Sequence, residues 1–564
     1  MKAKRPAAAR ALSELEGLRA RFGDGSGPRK AELLLALEGA ALNSAKQVLR
    51  LHEVACFLRA VPDDIAVLAA AERVLAGFAQ RRDVRRFRRA LADTGVAGAD
   101  SSYPFFAPTA RRLVERCGER MRVDWSTFDQ QAKLEGRLQL LASYSETPGL
   151  DEYALPVRKW IERLKGPKES DAQFLVKRCA RLGANSFERD TFYEELGLQL
   201  TLRWGPHSPS RTHERLADRV VHFQTTPLRR ERPDIRRELA RPPLAVREVD
   251  EREGARLVEL AQDAMVNRQR DLDAFMHGDP RDVRLVDCGE GLEFACIGVV
   301  PERRLMLESV YAFLTLKNGV PIGYVLTSAL FGSSEIAYNV FDTWRGGEAG
   351  YVYGRVLAMT RALFGSDTFT IYPYQLGGDG NSEGLKSGAW WFYQKLGFRS
   401  RDAEVLRLMR RELAAQRKNP EQRSDIATLK RLAQGNVFWQ PGRERDDVIG
   451  VFALERIGLA VTDYLAGRFG SDRERGERVC ADEAAKLCGQ RTWRALPSSE
   501  RLAWVRWSPL ILALPGVASW SPAQRRELAL VARAKGGRRE SDFVEQCASH
   551  KLLRAALRRL AARA

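Results

Sequence analysis

Residues 333–399 change twice from strand-like to helix-like character, and each change passes through glycine. SSEIAYNVFD reads as a strand, and WRGGEAGYVYGRVLAMTRALFG as a turn feeding a helix. DTFTIYPYQL is a second strand, followed by GGDGNSEGLKSGAWWFYQKLGFRS, a glycine-rich loop opening an aromatic helix. Two successive βα steps place backbone N–H groups and helix N-termini at strand ends, where they can hold anions. No other part of the chain is as rich in chemical possibility.

The flanks differ in texture. From about residue 7 to 220 apolar residues recur at helical spacing, as in ARALSELEGLRARFG with Leu12, Leu15 and Leu18. Ser126 is a plausible N-cap for a helix over DQQAKLEGRLQLLASYS, and LGLQLTLRW is a candidate strand. TTPLRRERPDIRRELARPPLAV, dense in proline and arginine, reads as a linker. Strand patterns follow it: LAVREVD, a pair joined at Gly289-Glu290-Gly291, and VYAFLTLKNGVPIGYVLTSALFG, whose Asn318-Gly319 suits a type I′ turn. Helical patterns return from residue 413. The expected organisation is a helical domain over 1–224, a linker over 225–243, a mixed-sheet α+β domain over 244–412 and a helical region over 413–564.

Composition narrows the function classes. The 564 residues are 44% hydrophobic and 29% charged, enough for more than one core. The net charge of +19 fits a polyanion binder, yet the arginines are interleaved with acids and also fit a GC-rich coding sequence, so nucleic acid is not the favoured partner. Eight cysteines without a C-x-x-C pair indicate reduced structural thiols and no metal site, which with the lack of an apolar leader predicts a cytoplasmic protein. No window is apolar enough for membrane insertion.

GAWWFYQKLGFR places Ala389, Tyr393, Gly397 and Phe398 in an A-x-x-x-Tyr-x-x-x-Gly-Phe pattern, and TWRGGEAGYVYG places Arg345 and Gly350 in an Arg-x-x-Gly-x-Gly/Ala setting. On these motifs residues 244–412 resemble the GNAT N-acetyltransferase superfamily. The resemblance implies a GNAT-like fold, acetyl-CoA or another acyl-CoA as co-substrate, and direct acyl transfer to a small-molecule or protein amine. Within it Arg345, Gly346, Gly347, Gly350 and Lys386 bind the cofactor and Tyr393 is the acid for the leaving thiolate. Glu335 and Asp342, flanking the strand before the glycine turn, are candidate bases. Each residue also has a plainer reading: Tyr393 as aromatic packing, Glu335 as a strand-start charge, Asp342 as a turn cap.

Two departures matter. Glu348 stands where the loop's first glycine belongs, and Lys386 stands where the family often has Asn. They keep open a degenerate binding or scaffold module, and the basic surface keeps open an aminoacyl-tRNA donor. In the loop 377–384, Asp379 and Glu383 are placed to select a cationic amine, with Ser382 as a possible N-cap.

Overall fold

The computed structural model describes residues 7–183, 185–216 and 219–563. It divides into two compact units, one of residues up to Leu228 with Arg256–His277 and Lys317–Pro321, the other of Arg229–Ala255, Gly278–Leu316 and Ile322–Ala564. The unit boundary therefore falls inside the expected linker, with residues 229–243 in the second unit, and residues 413–564 are part of that unit rather than a separate body.

The first unit opens with four helices, Ala7–Leu18, Gly27–Glu38, Ala45–Ala60 and Ile65–Ala76. Ser44 and Asp64 cap the last two by accepting the backbone N–H groups of Gln47 and Val67. A second core gathers around helices Ala107–Cys117 and Asp171–Cys179 and a small antiparallel sheet ordered Ser101–Tyr103, Leu200–Leu202, Met121–Val123. The candidate strand near residue 200 is its centre. The helix expected after Ser126 is instead two short pieces, Gln131–Glu135 and Leu138–Leu141, parted at Gly136. Ser126 turns back to Asp124 and caps nothing.

The second unit is built on a nine-stranded mixed sheet. Its strands are β1 (Ala245–Glu248), β2 (Gly278–Asp287), β3 (Leu292–Val299), β4 (Ser309–Lys317), β5 (Val320–Leu330), β6 (Ser333–Val340), β7 (Thr368–Ile371), β8 (Arg399–Ser400) and β9 (Val437–Trp439). They lie in the order β8-β9-β7-β6-β5-β4-β3-β2-β1. Asn318 and Gly319 both take positive φ, 50° and 76°, as a type I′ turn requires. Phe331 and Gly332 do the same between β5 and β6 at 52° and 71°, a turn that the sequence does not advertise because Phe rarely enters this region.

The helices of this unit include α1 (Ile235–Leu239), α2 (Ala349–Phe364), α3 (Ser382–Ser387) and α4 (Ala389–Lys395). β6 and β7 are parallel, and α2 makes the crossover that a parallel pair needs. The proline-rich segment is a strap packed on α2. Arg355, 1% exposed, donates to the carbonyls of Arg241 (2.8 Å) and Pro242 (3.0 Å) and pairs with Glu238 at 3.1 Å.

The C-terminal helices are fastened to the sheet by buried charge. Lys535 donates to the Glu308 carbonyl at 2.7 Å and pairs with Glu540 at 2.5 Å. The Arg304 guanidinium reaches the carbonyls of Lys535 and Gly537 at 2.9 and 2.6 Å. Tyr311 Oη donates to Asp282 Oδ2 at 2.7 Å and accepts the Ser541 N–H at 2.7 Å. Burial pushes the Glu540 carboxyl up and the Lys535 ammonium down, so each ion holds its charge only through its partners. No helix among the described residues is long and apolar enough to cross a membrane.

Removing one member of such a pair strands the other. Lys535→Met is expected to lower unfolding free energy by about 3–5 kcal/mol in urea titrations at neutral pH. Lys535→Met/Glu540→Leu should recover a substantial part of that loss. A single variant as stable as the parent would show that the pair does not hold the helices to the sheet.

Candidate functional site

The parallel register between β6 and β7 is short. Only Ser333, Ser334 and Glu335 pair with Thr368, Phe369 and Thr370. β6 continues through Ile336–Val340 against β5 alone, so its other edge is left unmatched by β7. The sheet forks at Glu335. Beyond the fork lies an open cleft of about 370 Å³, lined among others by Tyr338, Asn339, Arg345, Ala349, Ser387 and Tyr393. An unmatched strand edge offers N–H and C=O groups to an extended ligand.

The first turn of α2 borders this cleft through Gly346 and Ala349. Its N-cap, Glu348, makes no side-chain cap, so the leading N–H groups of the helix are not capped. Gly346 has φ 82°, a left-handed turn with open space where a Cβ would stand. Such a terminus favours an anion by roughly 0.3–1 kcal/mol.

Tyr393 is 3% exposed and sits in an aromatic cluster, with ring centroids 5.5 Å from Tyr353 and 5.7 Å from Phe398. Both plain readings hold at once, since the residue packs in the core and lines the cleft. Burial raises its phenol well above the ordinary range, so it keeps its proton. Tyr338, also on the cleft, donates to the Ala349 carbonyl at 3.2 Å and ties β6 to the start of α2. Asn339 also borders the cleft, and its Oδ1 is buried without a hydrogen-bond partner among the described residues.

Glu335 stands at the fork. Burial, with the neighbouring Glu308 carboxyl, pushes its pKa up to about 7. Its position alternates with Tyr338 along β6, so the two side chains leave opposite faces of the sheet, and Glu335 does not line the cleft.

The other expected residues are placed differently from their sequence roles. Asp342 has a side chain 82% exposed and pairs with Arg345 at 2.8 Å; it is a partner of that arginine, not a buried base. Arg345 is further engaged by Glu383 and by the Val340 carbonyl at 3.2 Å, so its charge is already met by two carboxylates. Glu383 thus faces an arginine rather than an incoming amine, and Asp379 is exposed away from the cleft lining. Gly347 sits behind the turn, its Cβ position 3.2 Å from the Trp344 carbonyl. Gly350 lies under the strap: a Cβ there would stand 3.2 Å from Pro233 Cδ and 3.6 Å from the Glu231 carbonyl. Its lack of a side chain serves chain packing. Lys386 is exposed on α3 and outside the cleft.

Glu348 is turned to the strap, where it accepts the Arg229 N–H at 3.1 Å, so it does not oppose an anion in the cleft. Asn381, not Ser382, caps α3 by accepting the Gly384 N–H at 3.0 Å. Sequence reasoning missed Tyr338, Asn339 and Gln375; the alternation along SSEIAYNV, read as far as the strand's end, would have singled out Tyr338 and set its neighbour Asn339 on the other face. Among the described residues no group of His, Cys, Asp and Glu is placed to hold a metal ion, and all eight cysteines are free and buried. No protein-family model matches this sequence, and neither a curated protein nor a solved structure matches it.

Proposed function

We propose that the second unit is a GNAT-like acyl-CoA-dependent N-acyltransferase whose donor lies in the forked cleft. The observation that carries this reading is the fork itself: an unmatched strand edge running up to an uncapped helix terminus. An acyl-CoA has amides along its pantetheine arm for the first and a pyrophosphate for the second.

Transfer proceeds in a ternary complex. The neutral amine attacks the thioester carbonyl, the C–N bond forms, and the C–S bond breaks. Tyr393 gives its proton to the leaving thiolate, and the amine proton passes to the water of the open cleft, since Glu335 lies off the cleft lining. A phenol held protonated by burial is suited to the task given to Tyr393.

Calorimetric titration with acetyl-CoA should show saturable binding, and no binding would remove the reading. Because Arg345 is shared between two carboxylates, Glu383→Gln should tighten acetyl-CoA roughly two- to fivefold, in line with an exposed ion pair; unchanged affinity would show that Arg345 plays no part.

Tyr393→Phe should lower thiol release across an amine panel by about 10²-fold while the melting temperature stays close to the parent's. An unchanged rate would end its assignment as the acid.

The pH dependence follows from the raised pKa of Glu335. As pH rises through about 7 the folded carboxyl gains its charge. Stability runs the other way. Between the unfolded carboxyl's range and about pH 7 the folded protein holds a proton that the unfolded chain has lost. Stability therefore falls as pH rises through that window, and Glu335→Gln should flatten the fall.

A further inference from the structure

Between residues 229 and 241 the strap carries six arginines against three carboxylates. Two of the carboxylates are used within the fold. Asp234 caps α1 by accepting the Arg236 N–H at 2.9 Å, and Glu238 pairs with buried Arg355. Of the arginines, Arg229 pairs with Glu290 and lies 4.4 Å over the Tyr351 ring. Arg230 and Arg232 are exposed and form no ion pair or hydrogen bond among the described residues. They flank Glu231, whose carbonyl rests on Gly350 in the first turn of α2. The strap is held there at three points: the Arg229 N–H on Glu348, Pro233 on Gly350, and Arg355 on the carbonyls of 241 and 242. The backbone that carries these two unpaired arginines is thus held against the helix turn that borders the cleft.

Arg345, the one arginine on the cleft wall among the described residues, has its charge met by Asp342 and Glu383. A ligand with more than one phosphate needs further cationic groups, and the strap that contacts this helix turn carries arginines. Arginine is the side chain best shaped to grip a phosphate oxygen pair. Coenzyme A carries such a second group, the ribose 3′-phosphate, on the far side of its pyrophosphate from the acyl arm.

We infer that Arg230 and Arg232 form a binding surface for the 3′-phosphate of coenzyme A, so that the strap selects the phosphorylated cofactor. The inference rests on the acyl-CoA reading of the cleft and adds to it a group of residues from outside the two βα steps. Proline at 227, 233, 242 and 243 restricts the strap's backbone, which lowers the ordering cost of binding.

The test compares coenzyme A with 3′-dephospho-coenzyme A by calorimetry on the full chain and on Arg230→Ala/Arg232→Ala. The parent should bind coenzyme A about tenfold more tightly, with the margin narrowing as salt rises. The double variant should bind both ligands equally, with dephospho-coenzyme A affinity unchanged, which also reports that it is folded. Equal binding of the two ligands by the parent would overturn the inference and leave the acyltransferase reading standing. A margin that survives in the double variant would overturn it too. If neither ligand binds the parent, the acyl-CoA reading fails and takes this one with it. Salt-sensitive RNA binding lost in the double variant, without discrimination between the two cofactors, would reassign the arginines to a nucleic acid and overturn the proposal.

Discussion

Three residue pairs of parallel sheet decide where this protein can do chemistry. β6 and β7 meet over Ser333–Glu335 and part, and everything around the cleft follows from that parting. A parallel pair requires a crossover, which α2 supplies, and the crossover helix begins where β6 ends. Its N-terminus must then border the space left by the divergence. On the other side, β7 is occupied by β9, which pairs with it antiparallel through Phe369↔Trp439, so the gap is not closed by a further strand. The fork, the helix terminus and the aromatic wall are consequences of one geometric fact.

The second constraint is burial of polar groups. The sheet's far side is held to the last helices by Lys535, Glu540, Arg304, Asp282 and Tyr311, all below a tenth exposed. An apolar contact would accept several arrangements, whereas these buried charges find their ion-pair partners only where the last helices meet the sheet. That arrangement explains why residues 413–564, with the composition of a separate helical domain, pack within the same unit as the sheet.

Much of the local order could be read from the sequence. Asn318-Gly319 turns as its chemistry requires and the mixed sheet is present; both βα steps of 333–399 form, although the second strand stops at Ile371 and short helices, Pro373–Leu376 and Ser382–Ser387, stand in the rest of that strand and in the glycine-rich loop. Legible features were those whose cause lies within a few residues. Illegible ones had distant causes. Glu540 meets Lys535 close by in the chain, but their partners Asp282 and Arg304 lie more than two hundred residues away, and no local pattern encodes that meeting. The turn at Phe331-Gly332 was hidden because burial of the Phe331 ring outweighs the cost of its positive φ.

The glycines of the site carry a related ambiguity. A glycine in a motif admits two physical explanations: a ligand that comes close, or a piece of chain that does. Sequence spacing cannot separate them, because both require only the missing Cβ. At Gly346 the space is open and the φ is left-handed, so the turn itself demands glycine beside the cleft. At Gly350 the space is filled by Pro233, and at Gly354 a Cβ would stand 2.9 Å from Glu238 Cγ. The run that reads as one phosphate loop is therefore divided between two tasks, with its first part turning toward the cleft and its second carrying the strap. Having glycine at both places is what allows a chain segment dense in arginine to lie against the same helix turn that borders the candidate site.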